Sequence, residues 1–167
     1  WKTGEPIPAG LVGKIGKSRL YGQGFATVEY VAASYLDMNW HTLAAPTLED
    51  ATAFEKASLA KIGLIPEIVS RYRSPYFQHI FGPGGGYSAG YYSYLWSEVL
   101  DADAFGAFRE KGIFDRATAT AFRKNVLEKG GTAEAMTLYK AFRGREPVVE
   151  PLLVKRGLAP APAGGTN

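Results

Sequence analysis

The chain has 167 residues, enough for one domain with a real core and too few for two comfortable ones. Its 46% hydrophobic and 21% charged residues exclude a disordered chain, and a net charge of +3 from scattered basic residues argues against nucleic-acid binding. Cysteine is absent, which removes disulfides and thiolate metal sites, and no apolar run approaches the roughly 20 residues needed to cross a bilayer.

The opening WKTGEPIPAG lacks an initiator Met and the charged-then-apolar pattern of a signal peptide, which puts a native amino terminus at Trp1 in question. After the turn-forming Gly4-Glu5-Pro6-Ile7-Pro8, the pattern predicts a helix over residues 9–21, broken by Gly22-Gln23-Gly24. Residues 25–43 contain no Gly or Pro and are apolar on almost every side, the pattern of a central helix. A third helix is expected from Pro46-Thr47, with Glu49 and Asp50 in its first turn, to Ile62, with Gly63 as the stop. Residues 71–81 have no helical period and contain Pro75, so they read as extended or irregular. The glycine run at residues 82–86 cannot be helical and gives way to a long helix predicted over residues 87–108.

Three further elements follow: residues 115–128, a helix started by Thr132 and running to Phe142 before Gly144, and a short one from Pro147 to Arg156. The tail at residues 158–167, LAPAPAGGTN, is expected to be disordered. Helices joined by short loops with no alternating strand imply an all-α, multi-helical bundle over residues 1–157.

A search for chemistry mostly returns negatives. The two histidines, His41 and His79, lie far apart, and neither begins an H-E-x-x-H helix, which would put two imidazoles on one face around a metal. There is no G-x-S-x-G elbow, and the glycine run lacks the Lys-Ser/Thr of a phosphate loop. What remains is the region from Arg71 to Trp96. In a helix over residues 87–108, Tyr87, Tyr91 and Tyr94 fall at i, i+4 and i+7, and Glu98 continues the stripe. A phenol keeps its proton at neutral pH, so aligned tyrosines are neutral donors for a substrate carbonyl or a developing oxyanion. The same rings could equally be core aromatics with satisfied hydroxyls. Gly90 within the stripe would let a backbone or ligand come close. Arg71 and Arg73 could hold a substrate carboxylate by bidentate contacts, or lie exposed on the surface.

The string YFQHIFGPGGGYSAGYYSYLWSEVLDADAF resembles the segment downstream of the zinc site in thimet-oligopeptidase-like metallopeptidases, particularly their peptidyl-dipeptidase (dipeptidyl carboxypeptidase) branch. GQGFATVEYVAASYLDMNWHTL, GIFDRATATAFRKNVLEKGG, LYKAFRGREP and LLVKRGL are similar to flanking segments of that family, so the likeness runs from about Thr3 to Leu158. The resemblance implies the C-terminal portion of a two-lobed, all-helical catalytic domain whose cleft admits short peptides. It implies Tyr94 and Tyr91 as the hydroxyls that stabilise the tetrahedral oxyanion and hold the scissile peptide. His79, Tyr87 and the loop glycines Gly85 and Gly86 would contact substrate. The family's zinc ligands precede the part represented here, so the zinc is expected in the complete parent enzyme and none in this chain alone. Between His79 and Tyr87 the sequence reads I-F-G-P-G-G-G, two residues longer than the family's usual loop, with Pro83-Gly84 as the excess.

The expected partners are short peptides and the missing N-terminal, zinc-bearing portion of the same enzyme, with neither nucleic acid nor membrane. Self-association through exposed apolar surface is also expected. The compartment stays open between cytoplasm and periplasm, and a non-catalytic helical peptide-binding module stands as the alternative.

Overall fold

A computed structural model describes residues 2–47 and 49–160. Among them there are eight α-helices and no strand, which is the all-α architecture expected. The tail's residues 161–167 lie outside the described residues, whereas Leu158 is tied back to the last helix by its N–H to the Leu153 carbonyl (2.8 Å). The chain divides into two compact units, one up to Tyr94 and one from Leu95.

The first unit opens with α1 (Ala9–Ser18), which contributes no buried residue. Helix α2 (Gln23–His41) is central only in its second half. Ala32, Ala33, Leu36 and Asp37 are fully buried, while Phe25 and Val28 in the earlier turns are exposed. Helix α3 (Ala51–Lys61) starts one turn later than the sequence suggested. Asp50 acts as its N-cap rather than a first-turn charge, accepting from the N–H groups of Thr52 and Ala53, both at 3.0 Å. Such a cap contributes about 1 kcal/mol because it satisfies donors with no intrahelical partner. Gly63 ends the element with φ +66°, a left-handed stop that glycine adopts without a Cβ clash.

The irregular segment after it contains two short turns of helix, a 3-10 turn over Ser74–Tyr76 around Pro75 and α4 (Gln78–Phe81). It is fastened from two sides. Buried Glu55 of α3 pairs with Arg73 and accepts the Ser74 N–H at 2.9 Å, and Trp40 of α2 donates its indole N–H to the Ser74 hydroxyl at 2.9 Å. Ala33, Phe77, Ile80 and Tyr91 form the core of this unit, with Tyr30, Trp40 and Tyr72 packed around them. Phe77 and Ile80 are each 1% exposed, and burying side chains of that size is worth roughly 1.5–3 kcal/mol apiece.

Helix α5 (Ser93–Lys111) begins at the end of the first unit and lies mostly in the second. There α6 (Arg116–Phe122) is capped by Asp115 and widens into a π-turn over Arg123–Leu127. Helix α7 (Ala135–Arg143) ends at Gly144 with φ +80°, and α8 (Glu150–Lys155) ends before Gly157. Val99, Ala102 and Leu152 form a small apolar core. Beside it, Asp103 is fully buried and accepts from the Tyr139 hydroxyl and from both terminal nitrogens of Arg145, one at 3.0 Å and one at 2.5 Å. Arg143 donates to the Asp103 carbonyl at 3.2 Å and grips Glu110 with two nitrogens, at 3.0 and 2.6 Å.

Candidate active-site tyrosine loop

The helix predicted over residues 87–108 does not begin at Tyr87. It begins at Ser93, so Tyr87 and Tyr91 sit on a loop and only Tyr94 is helical. The i, i+4, i+7 stripe is therefore corrected, and Glu98, its supposed continuation, pairs with Arg156 instead. The physical reason lies in the backbone. Gly84, Gly85 and Gly86 all have positive φ, and Ala89 is the only non-glycine among the described residues to do so, at φ +56°. These conformations turn the chain where a helix would need it to run straight.

The rings converge all the same. Tyr91 and Tyr94 have centroids 5.3 Å apart, Tyr87 and Tyr94 5.9 Å, His79 and Tyr91 5.6 Å, and His79 and Tyr87 6.1 Å. Tyr30 stacks on Tyr91 at 5.3 Å and donates its hydroxyl to the Tyr91 carbonyl at 2.6 Å, while Tyr72 stacks on Phe77 and lies 4.7 Å from the His79 ring. A loop has replaced a helix face as the device that gathers them.

Close backbone approach sets the loop's path. The Tyr87 N–H donates to the His79 carbonyl at 2.6 Å, which holds the two candidate residues together. A Cβ on Gly86 would lie 2.4 Å from that carbonyl oxygen, and one on Gly90 would lie 2.9 Å from the Tyr87 oxygen. Both positions thus require glycine for space, and Gly86, at φ +52°, for conformation as well. Pro83 and Gly84 form a tight turn of their own, closed by the Gly85 N–H on the Gly82 carbonyl at 3.1 Å, and the His79–Tyr87 contact spans it.

Tyr91 and Tyr94 differ in environment. Tyr91 is 3% exposed, and burial pushes its phenol up to about 12, with Arg71 opposing the shift. Tyr94 is 43% exposed, and a side-chain hydrogen bond with Tyr87 holds its phenol above the ordinary value. Both are neutral donors throughout the physiological range. Tyr91 has its higher pKa in the folded state, so its contribution to stability is complete below the unfolded value of about 10 and is lost as pH rises toward 12. Denaturant titrations below and above pH ~10 should show that loss, and it should be shallower in Tyr91→Phe.

Arg71 is exposed, with its guanidinium carbon 5.9 Å from the Tyr72 ring centroid. Arg73 is committed to Glu55, so the structure does not bring the two arginines together as a pair. The donor set does not fit a zinc centre: among the described residues no group of three or more His, Cys, Asp or Glu could hold a metal ion. His41 is engaged instead by Asp37, with Nδ1 2.7 Å from Oδ1.

Asp37 and Tyr30 were not singled out from the sequence. The carboxylate accepts the Ala89 N–H at 2.9 Å and the Tyr91 N–H at 2.8 Å, tying α2 to the tyrosine loop. The signal was there, since a lone acidic residue in an otherwise apolar stretch, AASYLDMNWH, needs buried donors. Nothing in the sequence named those donors.

The chain is 42% identical over 158 residues to the "Dipeptidyl carboxypeptidase" of Salmonella typhimurium, covering 93% of this chain and 23% of that protein. It is 38% identical to the Escherichia coli protein of the same name and 38% identical to the "Oligopeptidase A" of Escherichia coli, in each case over 95% of this chain and 23% of the relative. The chain thus spans about a quarter of the length of these curated relatives. The family model described as "Peptidase family M3" matches residues 1–158, and the chain belongs to that family.

Proposed function

We propose that this chain is the substrate-binding and oxyanion-stabilising part of a zinc-dependent peptidyl-dipeptidase that releases dipeptides from the free C-terminus of short peptides. The observation that carries the reading is the convergence of the Tyr87, Tyr91, Tyr94 and His79 rings, with the Tyr94 side chain accessible and hydrogen-bonded to that of Tyr87. Tyr94 donates its hydroxyl to the scissile carbonyl oxygen as negative charge develops there. Tyr91, set deeper, backs Tyr94 and helps to hold the peptide. His79, Tyr87 and the backbone of Gly85 and Gly86 contact substrate main chain. Arg71 takes the terminal carboxylate, because Arg73 is already neutralised by Glu55.

Zinc and the water it activates belong, on this reading, to residues outside this sequence, since no donor set among the described residues fits the metal. That remainder is the covalent partner. Exposed apolar residues such as Leu11, Val12 and Ile15 of α1 favour self-association of the chain alone. No helix among the described residues is long and apolar enough to cross a membrane. The proposed compartment is cytoplasm or periplasm.

The test compares the isolated chain with the product of its complete reading frame on a short peptide. Dipeptide release by the complete product and none by the chain is the expected result. Stoichiometric zinc with dipeptide release by the chain alone would overturn the division of labour. Peptide binding without cleavage by the complete product would favour a non-catalytic binding module.

A further inference from the structure

A buried carboxylate on α2, far in sequence from every candidate substrate contact, is placed where it can govern the tyrosine loop. Asp37 on α2 is fully buried, and its two oxygens serve three donors. Oδ1 accepts from the Ala89 N–H at 2.9 Å and from His41 Nδ1 at 2.7 Å, and Oδ2 accepts from the Tyr91 N–H at 2.8 Å. An ionised carboxylate only accepts, so the contact fixes the imidazole proton on Nδ1. His41 Nδ1 also lies 3.0 Å from the Asp37 carbonyl, which holds the ring against its own helix.

One of the two loop residues bound by Asp37 has a costly backbone geometry. Ala89 has φ +56°, a left-handed conformation that persists in a non-glycine residue only when the surroundings enforce it. Two flanking N–H groups on one carboxylate provide that enforcement, since charge-assisted hydrogen bonds are roughly twice as strong as neutral ones. The Tyr91 position follows from this. Its N–H is held by Asp37 and its carbonyl by the Tyr30 hydroxyl at 2.6 Å, so its peptide groups are clamped on both sides. Tyr94, three residues later in the first turn of α5, packs on the Tyr91 ring at 5.3 Å.

We propose that Asp37, oriented by His41, is a positioning residue that acts through the Ala89 and Tyr91 amides to aim the Tyr91 and Tyr94 hydroxyls at the reacting carbonyl without touching substrate. The inference rests on the tyrosine reading of the site given above. Misplacing a reacting group by about 1 Å can cost roughly 10²-fold in rate, so the latch should matter to turnover more than to binding. Asn at this position keeps one acceptor but replaces the other oxygen with an NH2 that faces an N–H donor.

The test uses the complete enzyme and four variants: Asp37→Asn, His41→Gln, Tyr94→Phe and the double Asp37→Asn/Tyr94→Phe. Asp37→Asn should lower kcat by about 10²-fold and change KM less than about threefold. Amide exchange at Ala89 and Tyr91 should accelerate in the same variant. His41→Gln leaves the carboxylate in place and gives the milder case if Asp37→Asn does not fold; it should lower kcat about three- to tenfold in the same direction. The readout that a purely structural role would not move is non-additivity: with Tyr94 already Phe, Asp37→Asn should cost less than about tenfold further. Losses that multiply in full, or a normal kcat despite lost amide protection, would overturn the positioning role while leaving Tyr94 in place. An unchanged kcat in Tyr94→Phe would instead sink the tyrosine reading, and the positioning role with it.

Discussion

Replacing Tyr94 with Phe in the complete enzyme should lower kcat by about 10²–10³, the usual effect of removing one oxyanion donor, with little change in KM. The substitution deletes one hydroxyl and keeps the ring, so the contacts to Tyr30, Tyr87 and Tyr91 at 6.5, 5.9 and 5.3 Å survive. Tyr94 is 43% exposed, so its truncation leaves no buried cavity, and thermal stability should move little. Steady-state kinetics on a short peptide, with a melting curve as the control for folding, separates the two effects. A loss smaller than about threefold in kcat would remove Tyr94 from the mechanism. A loss confined to KM would recast the hydroxyl as a ground-state contact. Tyr91→Phe is a less clean experiment, because Tyr91 is buried and its ring is part of the unit's core.

Asp103→Asn should be the most damaging conservative change to the fold, costing about 3 kcal/mol. Asp103 is fully buried and gathers the Tyr139 hydroxyl and the Arg145 fork, with Arg143 3.7 Å away. An amide presents only one acceptor oxygen and sets its NH2 against donors that the carboxylate satisfied. Part of the loss is buffered. Arg145 is 41% exposed and can turn to water, and Arg143 keeps its bidentate hold on Glu110. Tyr139, 7% exposed, has no such alternative. The Asp103 contact and burial together raise its phenol well above the ordinary range, with burial the larger cause. Denaturant unfolding of the chain measures the cost, and a change under about 1 kcal/mol would mean that Asp103 does not organise the second unit.

The amino-acid sequence by itself determined where helices start and stop in most of this chain. Gly63, Gly144 and Gly157 end elements because each takes a left-handed φ that other residues resist. Asp115 begins an element because its short carboxylate reaches a free N–H group of the first turn, whereas Asp50 caps a helix that the sequence suggested would start a turn earlier. The sequence also drew attention to the residues of the tyrosine loop, through their resemblance to the family's segment.

Only the tertiary structure decided how those residues meet. Local periodicity favoured a continuous helix through Tyr87, Tyr91 and Tyr94, and helix propensity had no term for a carboxylate arriving from a distant part of the chain. Asp37 lies 52 and 54 residues from the two amides it binds, and that long-range acceptor competes with the helical ladder for them. Arg73 shows the same limit. It reads as a free cation beside Arg71, yet a buried glutamate 18 residues earlier pairs with it. Patterns of period 3.6 report what a segment does with its own backbone. Buried charges report what it does with everyone else's, and their partners become visible only once the chain is folded.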